Sequence, residues 1–474
     1  MQKIILLLIF ILCFSFSYSQ NVKINGIAKA YENKEIAVWV NNDYISNTQK
    51  QLTYSNVDSA GNFLLEFNSK AVQYITLKIE KSIASMYIEP NANYEILILP
   101  PDSSTYQNPN LEHDVRISIK LKSKTEINAL TMDYDKRFDD FLSVNYKDFV
   151  SRRSKPATDS FKLAMLDYYS TVKNQYFDAY INYTIAALEE KTNVSPKKLY
   201  EDYLQGKPVL YFDPEYMNFF NAFYKQKLQN YSLTKAGKSL KFQIDGRGSF
   251  KGAMDVLRQD AFLKNDTIRE LVVIKGLYES YYDGAFQRKN IIPMLRQVVE
   301  ESKIQEHQRI AQNILNSFSK LKVGGAAPFF ELPDKTGATH SLDELRSKKY
   351  IYLMFFDKNC TACIQQMKII PSLKKQYGER IEFVSVSTDN SAVDLKNFCT
   401  KNPKYDWLFL YDNSGATFKN NYEIKSLPAY FLISPEGKFI QVPAESPDGD
   451  IDRAFFDITK PKGKKWGVGD KKNR

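Results

Sequence analysis

Between residues 21 and about 122, short apolar runs alternate with polar positions. Runs at 22–24, 35–40, 63–67, 74–79 and 94–98 are rich in β-branched and aromatic residues, and Asn25-Gly26, Ala60-Gly61 and Pro90-Asn91 separate them. Strands at this spacing with polar turns predict a small antiparallel sandwich. The Pro100-Pro101-Asp102-Ser103-Ser104 stretch breaks the pattern, and 117–121 offers one late strand. From about 125 to 320 the period lengthens. Phe161, Met165, Tyr168, Tyr169, Val172, Tyr176, Tyr180 and Tyr183 recur at three- and four-residue steps, which is a helical face. Thr158-Asp159 is placed to cap it, 268–281 and 291–321 have the same character, and Asp213-Pro214 and Gly284 punctuate between helices. The aromatic stripes read as core, with a ligand groove as the alternative.

A third pattern begins near Val323, after which strand runs at 350–356, 381–387, 407–411, 430–434 and 438–442 alternate with helical stretches at 364–377, 391–400 and 416–422. That alternation implies parallel pairing, and the Pro435-Glu436-Gly437 turn implies a final antiparallel hairpin. The expected fold class is multi-domain: an N-terminal antiparallel β-sandwich at 20–122, an α-helical domain at 123–321 and an α/β domain at 322–460.

The ends of the chain set its address. Met1-Gln2-Lys3 supplies a positive charge, 4–16 is almost purely apolar, and Ser17-Tyr18-Ser19-Gln20 offers small residues for cleavage. Residues 1–19 therefore read as a secretory signal peptide cleaved after Ser19. The alternative, an uncleaved anchor, conflicts with a run shorter than the ~18 residues a spanning helix needs. Lipidation of Cys13 does not fit, because bulky Leu12 precedes it and the apolar run continues past it. The expected location is the periplasm or cell envelope, with the protein soluble after cleavage. The net charge of +10 is spread along the chain, which is no nucleic-acid footprint. Residues 461–474 form a basic, glycine-interspersed tail that is expected to be solvated and disordered.

The chain has four cysteines, and beyond Cys13 they are Cys360, Cys363 and Cys399. One close pair plus one distant cysteine is too few for a stapled scaffold, even in an oxidising compartment. A structural zinc needs four ligands, and the three histidines, His113, His307 and His340, are isolated in sequence. No metal and no cofactor beyond the cysteine pair are expected. Cys360-Thr361-Ala362-Cys363 follows an apolar strand and precedes a helix, the setting of a dithiol that cycles between two thiols and one disulfide. At the helix N-terminus Cys360 would be favoured as thiolate, so it is the expected nucleophile and Cys363 the resolver. The alternative is a permanently oxidised or vestigial pair. Cys399 follows Phe398 on an amphipathic stretch and reads as core.

Three motifs in order make residues 323 to about 460 resemble the exported TlpA/ResA-like thiol–disulfide oxidoreductases of thioredoxin fold. They are Val323-Gly324-Gly325-Ala326-Ala327-Pro328-Phe329-Phe330-Glu331-Leu332 with Gly337 and Ser341-Leu342, then Cys360 to Cys363, then Ser426-Leu427-Pro428-Ala429-Tyr430 with Glu436-Gly437-Lys438. The upstream arrangement resembles envelope proteins that join a DUF4369-like β domain to this module. The resemblance implies a cis bond before Pro428, with the Leu427-Pro428 loop offering backbone groups to an extended substrate segment. It also implies a reductase or isomerase of envelope proteins, acting in cell redox homeostasis and re-reduced by an electron donor that could be membrane-embedded. Departures from the pattern are Asn359 where the family usually has Trp, Gln366 where it often has an acid, and Met354 where thioredoxins bury a carboxylate. Lys358 is a candidate stabiliser of the Cys360 thiolate and Asp357 a candidate base by proximity. Peroxide chemistry fits poorly, because Asp357 stands where a peroxiredoxin has Thr or Ser. The competing reading is an envelope binding or scaffold protein in which the dithiol is secondary, since most of the chain lies upstream of the redox module.

Overall fold

The computed structural model describes residues 21–100, 113–150, 155–192, 194–318, 321–346, 349–389, 391–413, 416–424 and 426–460. The expected signal peptide with Cys13, the basic tail and most of the 100–104 break lie outside the described residues.

The N-terminal region packs two sheets face to face. One has the order Asn62–Asn68, Asn21–Ile27, Asn93–Ile98, Ile117–Ile119; the other runs Gln49–Asn56, Glu35–Asn41, Gln73–Ile79, Ser82–Ile88, His113–Asp114. Alternate residues turn inward, so Val22, Ile24, Leu65, Val38, Ile75 and Leu77 share one core. The purely antiparallel expectation needs correction at two pairings. Asn21–Ile27 runs parallel to Asn93–Ile98, and Ser82–Ile88 runs parallel to His113–Asp114. These partners are far apart in sequence, so no hairpin turn dictates their direction. Two strands carry no clear apolar signal. Gln49–Asn56 is an edge strand with no fully buried residue, and Ser82–Ile88 carries Ser82 and Ser85 three positions apart, which breaks a clean alternation.

The helical region has two cores. One gathers Tyr134, Phe161, Met165, Phe177, Tyr180 and Ile185. The stripe beginning at Phe161 is therefore largely core, except Tyr168, which is 54% exposed and stacks under the Arg137 guanidinium at 3.8 Å. Its expected cap is corrected: Thr158 and Asp159 lie inside the helix Lys155–Tyr168, and Lys155 pairs with Asp159 across one turn at 2.5 Å. The stripe also spans two helices, the second being Gln175–Glu190, which Asn174 caps through the backbone N–H groups of Tyr176 and Phe177. Likewise 291–321 divides at Ser302 into Arg288–Glu301 and Gln305–Phe318. The second core runs from Tyr183 through Phe219, Leu271 and Leu295 to Phe318.

The β region is fastened to both helical cores. Tyr87 enters the first, where Asn128 accepts from its N–H at 2.8 Å and donates to its carbonyl at 2.9 Å. The hairpin loop after Glu35–Asn41 enters the second, burying Ile45. Asp43, 2% exposed, organises that loop: its carboxylate accepts from the N–H groups of Ile45 and Ser46, the Ser46 hydroxyl and the Asn313 amide at 2.6–2.9 Å. Asn221 donates to the Tyr44 carbonyl at 2.7 Å, and Tyr278 donates to the Ser46 carbonyl at 3.3 Å.

The C-terminal sheet has the order Leu408–Tyr411, Ile381–Ser387, Tyr350–Phe356, Ala429–Ile433, Phe439–Gln441. The first three strands are parallel and the last two antiparallel to their neighbours. Tyr352, Met354 and Phe356 face the helices Ile370–Tyr377 and Ile451–Thr459, while Ile351, Leu353 and Phe355 face Phe418 and Tyr422. This is a thioredoxin-like layering, with the central strand buried on both faces. The expected helix 364–377 is corrected to Thr361–Met367 and Ile370–Tyr377. Pro371 stands in the first turn of the second helix, where a missing N–H leaves no intrahelical bond unmade. The amphipathic helix Ile451–Thr459, which buries Ile451 and Phe455, was not anticipated.

Replacing Asp43 by Ala leaves several buried donors without an acceptor, each worth about 1–3 kcal/mol. Chemical denaturation of the full chain should therefore show the unfolding of the helical core destabilised by about 2–4 kcal/mol. A loss under about 0.5 kcal/mol would mean that the loop is not an anchor.

Candidate active site

The site begins where the central strand ends. After Phe356 the chain turns through Asp357, whose carbonyl accepts from the Cys360 N–H at 3.1 Å and whose carboxylate accepts from the Asn359 N–H at 2.7 Å. Cys360 then occupies the cap of the helix Thr361–Met367, its sulfur accepting from the Cys363 N–H at 3.1 Å. An N–H aimed at sulfur favours the anionic form. The two cysteines are joined, with an S–S distance of 2.11 Å and Cα atoms 5.2 Å apart. Their exposure differs: Cys360 is partly exposed, whereas Cys363 is fully buried in the core with Met354, Phe356 and Met367.

The second element arrives by sheet register. Phe355 pairs with Ala429, so Leu427 and Pro428 lie at the same sheet end as the 357–360 turn. The Leu427–Pro428 bond is cis, as is Val442–Pro443. Leu427 and Cys360 both pack against the core that contains Cys363.

The remaining sequence candidates are placed less centrally. Lys358 is paired with Asp394 at 2.7 Å, and that hydrogen bond holds its ammonium above the usual lysine range. Its charge is directed to the helix Ala392–Lys401. Asn359 is exposed. The Gln366 carbonyl oxygen accepts from the Asp448 N–H at 3.2 Å, so this side chain ties down the 446–449 turn. Cys399 is partly buried against the same core, and burial pushes its thiol up.

Met354 is 1% exposed on the Cys363 face, and its sulfur accepts from the Ser385 hydroxyl at 3.9 Å. Among the described residues, Asp412 is the buried carboxylate of this domain. It follows Leu410 by two positions and so falls on the opposite face of the sheet. A polar residue not anticipated as a site candidate is Tyr430. It pairs with Met354 across the sheet, is 4% exposed and stacks on Tyr352 with ring centroids 5.4 Å apart. Its hydroxyl is buried without a partner, and burial raises its pKa, so it stays a phenol able to donate but not to act as a base. The signal was its position two residues after Pro428, on the strand beside Met354.

A Redoxin family model matches residues 322–455. Thiol-disulfide oxidoreductase ResA of Bacillus subtilis is 26% identical over 139 residues, spanning 29% of this chain and 76% of its own. Thioredoxin-like protein YneN of the same organism is 28% identical over 131 residues, spanning 26% of this chain and 75% of its own. A solved thiol-disulfide oxidoreductase from Bacteroides fragilis aligns with 28% of this chain and 98% of its own at 22% identity, with a TM-score of 0.26. Residues 322–455 thus match the Redoxin family, and the domain of thioredoxin-like layering that they form is similar to thiol–disulfide oxidoreductases.

The unequal burial of the two sulfurs has a direct readout. In the reduced chain, iodoacetamide should modify Cys360 at least about tenfold faster than Cys363 or Cys399, as measured by time-resolved peptide mass spectrometry. Equal rates at Cys360 and Cys363 would contradict the assigned asymmetry.

Proposed function

We propose that the protein is an exported thiol–disulfide oxidoreductase that exchanges disulfides with envelope proteins, as a reductase or isomerase, through Cys360 and Cys363. The observation that carries this reading is the pairing of a solvent-reachable sulfur with a sealed one, beside the Leu427–Pro428 loop.

In the reducing direction the Cys360 thiolate attacks one sulfur of a client disulfide. A Cys360–client disulfide forms, and the other client sulfur leaves as a thiolate that takes up a proton. Cys363, having lost its own proton, then attacks the Cys360 sulfur. The Cys360–Cys363 disulfide forms, the second client sulfur departs as a thiol, and the client has gained two electrons and two protons. A dithiol electron donor of the envelope returns the domain to its reduced form. In isomerisation the client's own thiol displaces Cys360 instead. Leu427 and Pro428 line the path of the extended client segment, while Asn359 and Gln366 bound it without chemistry. Deprotonation of Cys363 has no buried carboxylate beside it among the described residues, so this second step is the slower one.

Turnover of an insulin or glutathione disulfide should fall at least about 100-fold in Cys360→Ser. Cys363→Ser should accumulate disulfide-linked client complexes that a reductant dissolves. Equal turnover in wild type and Cys360→Ser would end this reading.

A further inference from the structure

The expectation of evenly spread charge needs correction within the helical region. Over residues 225–264 nine Lys and Arg stand against three Asp, a net +6 of the chain's +10. Those three acids are engaged. Asp260 pairs with Lys227 at 2.7 Å, Asp255 with Arg258 at 3.5 Å, and the Asp245 carboxylate accepts from the Gln287 N–H at 2.8 Å. Lys235, Lys238, Lys241, Arg247 and Lys251 are exposed and form no ion pair among the described residues. Cations held this close without counter-charges raise the local positive potential.

The fold turns this charge outward around two apolar side chains. The helix Gly237–Lys241 runs on into one wide turn, Phe242–Gly246, and Leu240 and Ile244 of this stretch are fully buried in the second helical core. Lys238, Lys241 and Phe242 are left on its solvent side. Arg247 lies over the Phe242 ring at 5.0 Å. A Cβ at Gly237 would collide with the Tyr231 carbonyl, so only glycine lets the turn that carries Leu233 and Lys235 close against the helix start. Leu233 is 85% exposed and Phe242 55%.

Unpaired cations around exposed apolar side chains complement a surface that is anionic outside and apolar beneath, which is a bilayer containing anionic lipid. An acidic protein would meet the cations alone and give Leu233 and Phe242 nothing to enter. The face also has a border. Lys241 lines a cleft whose far wall is Glu445 and Asp450 of the redox domain. The positive face ends there, next to the 446–449 turn that Gln366 ties to the Cys363 helix.

We propose that the face formed by Leu233, Lys235, Lys238, Lys241, Phe242 and Arg247 docks reversibly on the surface of an anionic membrane, with Leu233 and Phe242 entering the headgroup layer. The proposal goes beyond the oxidoreductase reading and uses neither Cys360 nor Cys363. It gives the helical region a task of its own, which is to hold the redox domain beside a membrane.

The test uses residues 20–474, the expected mature chain, in co-sedimentation with two kinds of vesicle. One is phosphatidylcholine alone, and the other contains about one-third phosphatidylglycerol. Wild type should bind the anionic vesicles at least about tenfold more tightly, and ~1 M salt should release it. Lys238→Glu with Lys241→Glu should weaken that binding at least about tenfold. Lys401→Glu with Lys404→Glu, an equal change of charge at exposed positions of the redox domain, should leave it within about twofold. Phe242→Ser should weaken it at least about threefold with the charge intact. All these positions are exposed, so the variants should unfold at the wild-type temperature. No preference for anionic vesicles, or equal losses in the two charge-reversed variants, would overturn the proposal. So would vesicle binding that none of these variants changes, since the basic tail would then carry it. Binding to polyglutamate as tight as to the vesicles, and unchanged by Phe242→Ser, would assign the face to an acidic protein instead.

Discussion

The register of one strand pair governs this molecule's chemistry. Tyr350–Phe356 is the central strand of the C-terminal sheet, buried on both faces, and it pairs with Ala429–Ile433 so that Phe355 faces Ala429. A shift of one residue would turn Met354 and Phe356 away from Cys363 and force Ile351, Leu353 and Phe355 into a core packed for other side chains. Because that slip is costly, the strand end delivers both the 357–360 turn and the Leu427–Pro428 loop to one edge. The helix Thr361–Met367 then divides the two sulfurs, leaving one at the surface and carrying the other into the core.

The rest of the chain is organised around the same edge. The β region enters the helical region through Tyr87 and the Asp43 loop, and the helical region meets the redox domain through Arg288 and an apolar junction of Tyr281 and Phe318 with Tyr422 and Phe431. These contacts are hydrogen bonds that use backbone groups or a buried carboxylate, together with packed apolar side chains, and they fix orientation more than surface ion pairs would. Upstream residues thereby lie beside the Leu427–Pro428 loop.

What could be read from the sequence follows from how local each cause is. The dithiol loop, the strand before it and the strands of the C-terminal sheet were legible because their signals lie within a few residues. The start of a second helix at Ile370 was legible in principle, since proline favours the first turn of a helix. Parallel pairing of Asn21–Ile27 with Asn93–Ile98 was not, because no turn joins them. Nor was the capture of Lys358 by Asp394, or the buried Tyr430 hydroxyl, since both depend on packing between distant segments. The thioredoxin-like carboxylate is absent as Met354 indicates, and no buried acid among the described residues replaces it on that face.

The central claim is that Cys360 and Cys363 form a working redox couple and not a staple. The most direct measurement is the reduction potential of the pair, from thiol counting across a series of glutathione or dithiothreitol redox buffers. A functional couple should titrate as one two-electron transition between about −120 and −270 mV, the span of known disulfide oxidoreductases. A potential below about −300 mV, where structural disulfides resist reduction, would contradict the account.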